Sequence, residues 1–298
     1  MGGGYWKRDD FARYSAGMGR KVRSDGHIDT SGMHSAQDMY RARGLSPDLD
    51  PYKVTRECCD SEEHPNTLPV ILALDVTGSM GHAAVEVAKQ LNVIMTKLYE
   101  ETGDVQFMIM GIGDFAYDAV PLQVSQFEAD IRIAEQLDRI YFEFGGGGNF
   151  FESYTAAWYF ALHHTRLDAW KRGGKGILIT MGDEQLNPYI PLKGRMANLE
   201  KVTGDTLQGD VETAPLFHDV SEKYELYHLN VDHRGGYDSD AITKSWKKYL
   251  KEDHFRTVTL DSIAQTIIEI VRTELEKWDS TEKNGTFLGK LPVPGISW

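Results

Sequence analysis

The chain has 298 residues, 41% of them hydrophobic, enough for one well-buried α/β domain with additional segments. It carries 45 Asp and Glu against 32 Lys and Arg, a formal net charge of −13, which argues against a general nucleic-acid binder or an anionic-membrane binder. No run approaches the roughly eighteen apolar residues of a membrane span, and the only two cysteines, Cys58 and Cys59, are adjacent and cannot staple distant parts of the chain.

The start, Met1-Gly-Gly-Gly-Tyr-Trp-Lys-Arg, has no apolar signal core, so the expected location is cytoplasmic. Gly2 would suit myristoylation, but Trp6 stands where Ser or Thr is required. Residues 1–66 mix Gly, Ser, Asp and Arg with scattered aromatics (Tyr5, Trp6, Phe11, Tyr14, Tyr40, Tyr52) and show no sustained periodicity. This stretch reads as an amino-terminal arm that docks on its own core or on a neighbour, since true disorder is poor in aromatics. Its one helical hint is Ser35 to Arg43, stopped by Gly44 and Pro47.

The informative stretch is Pro69-Val-Ile-Leu-Ala-Leu-Asp75-Val-Thr77-Gly-Ser79-Met80. Val70 to Leu74 are apolar on both faces, as a central strand of a parallel sheet requires. Asp75, Thr77 and Ser79 then alternate, so that a carboxylate and two hydroxyls converge just past the strand's carboxyl end, where open α/β sheets bind ligands. Without its context the triplet would read as a turn with a helix cap. An oxygen-only set suits Mg²⁺ first, with Mn²⁺ or Ca²⁺ as alternatives, rather than zinc.

Asp-x-Thr-Gly-Ser-Met between a buried strand and a helix resembles the metal-ion-dependent adhesion site of the von Willebrand factor A family, over roughly Leu68 to Trp278. The resemblance implies an α/β, three-layer fold with a mostly parallel central sheet flanked by helices. The expected organisation is an arm over 1–66, the domain over 67–279 and a tail over 280–298.

After the motif, Ala84, Val87, Ala88, Leu91, Ile94, Met95 and Leu98 recur every three or four residues and predict a helix of about twenty residues packed on the sheet. His82 reads as a solvated residue of its first turn. Val105 to Ile112 reads as a strand, and the family resemblance makes the following Gly113-Asp114 to Val124 an edge hairpin, with Asp114 and Asp118 as turn residues. A second helix is predicted over Gln126 to Tyr141.

Gly145, Gly146, Gly147, Gly148 and Asn149 follow. The glycines would let the backbone approach a bound ion closely. In the family this loop supplies a Thr ligand; here Asn149 is the nearest equivalent, and it reads equally as a helix cap with Glu152 completing a capping box. The aromatic helix Phe150 to Thr165 (Tyr154, Trp158, Tyr159, Phe160) reads as core and interface.

Gly176 to Thr180 is a further buried strand ending in Met181-Gly182-Asp183-Glu184. The family has Thr-Asp-Gly here, so Met181 stands in the place of a site Asp and Asp183 follows two residues later. Either Asp183 serves directly or through water, or the site has one carboxylate fewer. Tyr224 to Val231 and Arg256 to Leu260 give the last strands, with His233 read as surface, and Ile263 to Leu275 an amphipathic helix.

The resemblance implies a metal-dependent protein-binding module or adaptor, for partners such as an AAA+ ATPase, similar to bacterial and phage proteins with this domain. The alternatives are a structural subunit of a phage or other multi-subunit assembly, self-associating through its arms, and a metal-assisted hydrolase, for which no base or nucleophile is apparent. With Asp75 the one secure anionic ligand, a divalent ion would keep about one positive charge if Asp183 does not coordinate it directly, and would favour a partner's acidic side chain.

Overall fold

A computed structural model of the chain describes residues 3–33, 35–101, 104–143, 151–193, 197–232 and 239–283. Strands β1 (Leu68–Asp75), β2 (Val105–Ile112), β3 (Leu122–Val124), β4 (Gly176–Gly182), β5 (Tyr224–Val231) and β6 (Phe255–Val258) form one sheet in the order β6-β5-β4-β1-β2-β3. All neighbours run parallel except β3, which is antiparallel to β2 and gives the expected edge hairpin. Helices cover both faces, so the architecture is the expected three-layer α/β fold.

Alternation along the strands sorts the core into two layers. Val70, Leu72 and Leu74 of β1, Phe107 and Ile109 of β2, and Ile177, Ile179 and Met181 of β4 face helices Gly81–Glu101 and Ile263–Lys283. Ile71, Ala73, Met108, Met110 and Leu178 face the other way, toward Thr155–His163, Thr213–Ser221 and Ser239–Lys247. Every residue of β1 is buried, as an interior parallel strand demands. Pro69, which lacks an N–H, is tolerated there because β1 pairs with β4 only from Val70 onward.

The amino-terminal segment lies on this core. Its helix Arg8–Gly17 places Phe11 inward, and Trp6, Ile28, Met39, Tyr40 and Leu49 join the same buried cluster as β1. Hydrogen bonds fix it to helix Gly81–Glu101: Trp6 Nε1 donates to Asn92 Oδ1 at 3.1 Å, and the Tyr40 hydroxyl to the Ala84 carbonyl at 2.7 Å. Arg20 forms a buried ion pair with Asp138 at 2.7 Å.

The second predicted helix is shorter than its apolar pattern. Only Arg132–Leu137 is helical, because Glu128 is held extended by exchanging backbone hydrogen bonds with Phe107 at 2.9 Å each way. The last strand spans Phe255–Val258, and the final helix runs to Lys283. No described helix is long and apolar enough to cross a membrane.

Candidate metal centre

From β1 the chain steps to β2 and β3 on one side, then returns to β4 on the other. The strand order therefore reverses between β1 and β4, and the carboxyl ends of these two strands flank a crevice, the usual ligand position in an open α/β sheet. Asp75 is the last residue of β1, and Asp183 directly follows β4. They are 1% and 5% exposed.

Both oxygens of Asp75 are held. Thr77 donates to Oδ1 from its amide at 2.9 Å and from its hydroxyl at 2.6 Å, and the Tyr154 hydroxyl donates to Oδ2 at 2.8 Å. Burial pushes the Asp75 carboxyl up to about 7, helped by the charge of Asp183 and opposed by the Thr77 and Tyr154 hydrogen bonds. The Thr77 hydroxyl donates its proton to Asp75, so toward any other group it acts as an acceptor. Ser79 lies in the 3₁₀ turn Gly78–Met80, and its side chain lies outside the described residues.

Tyr154, read from sequence as a core aromatic, is part of this centre. Its hydroxyl also accepts the Glu184 amide at 3.4 Å, and its ring lies 5.2 Å from that of Trp246, whose Nε1 donates to the Glu184 carbonyl at 3.1 Å. The phenol comes so close to β4 that a Cβ on Gly182 would stand 1.8 Å from its oxygen, so glycine is required there. Met181 is a core residue on the opposite face and contributes nothing to the crevice.

Glu152 does not complete a capping box. It lies in the two-residue strand Phe151–Glu152, parallel to Gln185–Leu186, and the helix begins only at Thr155. Its side chain is 7% exposed, with burial and the charges of Asp75, Asp114, Asp118 and Glu184 holding its carboxyl well above the usual range.

Asp114 and Asp118 are turn residues, as expected. Asp118 Oδ2 accepts the Asp114 amide at 2.6 Å and Asp114 Oδ1 accepts the Ala116 amide at 2.8 Å, with the Asp118 carboxyl pushed up to about 6, chiefly by burial. His82 is exposed on its helix. Asn149, the glycines Gly145 to Gly148 and His233 lie outside the described residues.

Among the described residues no three Asp, Glu, His or Cys side chains gather as a metal cluster would. Two buried carboxylates with a hydroxyl between neutral hydrogen-bond donors make a different, hard-oxygen set. The chemistry of this donor set, carboxylate and hydroxyl oxygens, fits an oxygen-seeking divalent cation, and the charge of Asp183 adds to burial in raising the Asp75 carboxyl.

Neither a protein-family model nor a curated protein matches the chain. Among solved structures it is similar to the pilus adhesin SpaC from Lactobacillus rhamnosus GG in its open conformation, with TM-score 0.44 and 14% identity over 73% of this chain. The match spans 30% of the SpaC chain. It is also similar to the vWF domain of the type V pili tip protein Mfa5 from Porphyromonas gingivalis, with TM-score 0.39 and 13% identity over 76% of this chain and 98% of that one.

Proposed function

We propose that this chain is a protein-binding module that works through a divalent cation held at the carboxyl ends of β1 and β4. Asp75, Thr77 and Ser79 are the proposed inner ligands, with Asn149 and Asp183 contributing directly or through water. Mg²⁺ is the proposed ion. The observation that carries the reading is the buried Asp75 carboxylate at the end of β1, which receives the Thr77 hydroxyl at 2.6 Å and whose carboxyl is pushed up by burial and by the charge of Asp183. Two like charges at a buried strand end favour a cation between them. An exchangeable position on the ion would take an oxygen ligand from the partner, and an anionic side chain binds a hard ion more strongly than a neutral one.

Affinity capture tests the proposal. Wild-type bait in Mg²⁺ should retain a partner that is released both by EDTA and by Asp75→Ala. A partner that stays bound through both treatments contradicts metal-dependent binding.

A further inference from the structure

The sheet ends on one side at β6, and this edge is open. The Asp232 amide donates to the Val258 carbonyl at 2.9 Å, which fixes the alternation: Arg256 and Val258 turn their backbone groups toward β5, and Phe255 and Thr257 turn theirs away from the sheet. Thr257 is exposed, and among the described residues no hydrogen bond reaches its amide or carbonyl. The other edge differs. There β3 is only three residues long, and its Val124 carbonyl accepts the Arg56 guanidinium at 3.1 Å.

Positive charge gathers beside the open edge, in a chain whose formal net charge is −13. Residues 244–256 hold Lys244, Lys247, Lys248, Lys251 and Arg256 against Glu252 and Asp253, and all four lysines are exposed. Lys247 stands 5.9 Å from the centre of the Phe255 ring and pairs with Glu252 at 2.5 Å. Arg256, on the opposite face of the strand, approaches Glu269 at 3.7 Å. Lys244, Lys248 and Lys251 have no acidic partner among the described residues. Two copies pairing edge to edge about a two-fold axis would set this cluster against itself, so charge disfavours self-pairing. An extended segment rich in Asp or Glu gains twice, because its backbone continues the ladder at Thr257 while its side chains meet the lysines.

We propose that the β6 edge is a docking site for an acidic, extended segment of a partner protein, which adds to the sheet as a further strand. Strand β5 separates this edge from β4 and β1, whose ends carry Asp183 and Asp75. Docking here needs no ion and is independent of the metal-binding reading above.

The test is fluorescence anisotropy on the full-length protein in EDTA, with a labelled peptide alternating valine and glutamate as the probe and its valine–lysine counterpart as the control. The glutamate peptide should bind and the lysine peptide should not. N-methylation of alternate amides in the probe removes its ladder donors without altering the protein, and should weaken binding tenfold or more. Thr257→Pro should do the same, since the amide it removes points away from β5. Lys244→Glu combined with Lys248→Glu should weaken binding tenfold or more through charge alone. No binding of the glutamate peptide, or equal binding of the two peptides, would overturn the proposal. Binding that survives both N-methylation and Thr257→Pro would reduce it to plain charge attraction and overturn strand addition. A concentration-dependent dimer abolished by Thr257→Pro would make a second copy the occupant and likewise overturn it. With EDTA present throughout, none of these outcomes bears on the Mg²⁺ site.

Discussion

Replacing Asp75 by Asn should stabilise the metal-free protein at alkaline pH and abolish its response to Mg²⁺. The Asp75 carboxyl is raised from 3.8 to about 7 in the fold. A folded-state value above the unfolded one means that the favourable contribution is complete below about pH 4 and is lost as the pH rises through 7. Three units at about 1.4 kcal/mol each correspond to a loss on the order of 4 kcal/mol, of which about 3 kcal/mol falls between pH 5 and pH 8. Asparagine keeps an oxygen for the Thr77 donors and carries no charge to bury. Urea denaturation in EDTA should therefore show the wild type losing about 3 kcal/mol more than Asp75→Asn between pH 5 and pH 8. Saturating Mg²⁺ should restore the wild type and leave the variant unmoved. Parallel pH dependence in the two proteins would refute the reasoning, because Asp75 would then not be the buried charge that the site has to neutralise.

Three further outcomes follow from the packing. Gly182→Ala places a Cβ on the Tyr154 phenol, 1.8 Å from its oxygen, and should cost about 1–3 kcal/mol in urea denaturation with weaker Mg²⁺ binding; unchanged stability would mean that Tyr154 does not sit against β4. Tyr154→Phe removes the 2.8 Å hydrogen bond to Asp75 and should lower stability by about 1–3 kcal/mol at pH 8, where the carboxylate is charged, and by less at pH 5; an equal loss at both values argues against a bond to the ionised group. Arg20→Ala leaves Asp138 buried with, among the described residues, only the Tyr14 hydroxyl donating to it at 2.7 Å, and should cost about 3–5 kcal/mol. A loss below about 1 kcal/mol would show that the amino-terminal segment is not locked onto the domain through this pair.

The parts of the fold legible in the sequence are those with unbroken patterns. Val70 to Leu74 and the seven-residue stripe of helix Gly81–Glu101 each carry a period that only one element satisfies. Helix Arg8–Gly17 escaped notice because it buries only Phe11 and Ser15, too little for a stripe. The helix predicted over Gln126 to Tyr141 came out too long because backbone pairing between Glu128 and Phe107 overrides local pattern. At the site, the spacing of Asp75 and Thr77 announces their convergence, since neighbours in sequence share a turn. Tyr154 reaches Asp75 through tertiary packing, and an aromatic-rich helix offers no sign of which ring presents its hydroxyl to a carboxylate. The requirement for Gly182 is likewise visible only once the phenol stands against the strand.

Calorimetric titration of EDTA-stripped protein with Mg²⁺ addresses the central claim most directly. Wild type should bind one ion, and Asp75→Ala should give no binding heat while its circular dichroism stays that of the wild type. Absence of binding in the wild type, or equal binding in the two proteins, would contradict a cation site at the end of β1.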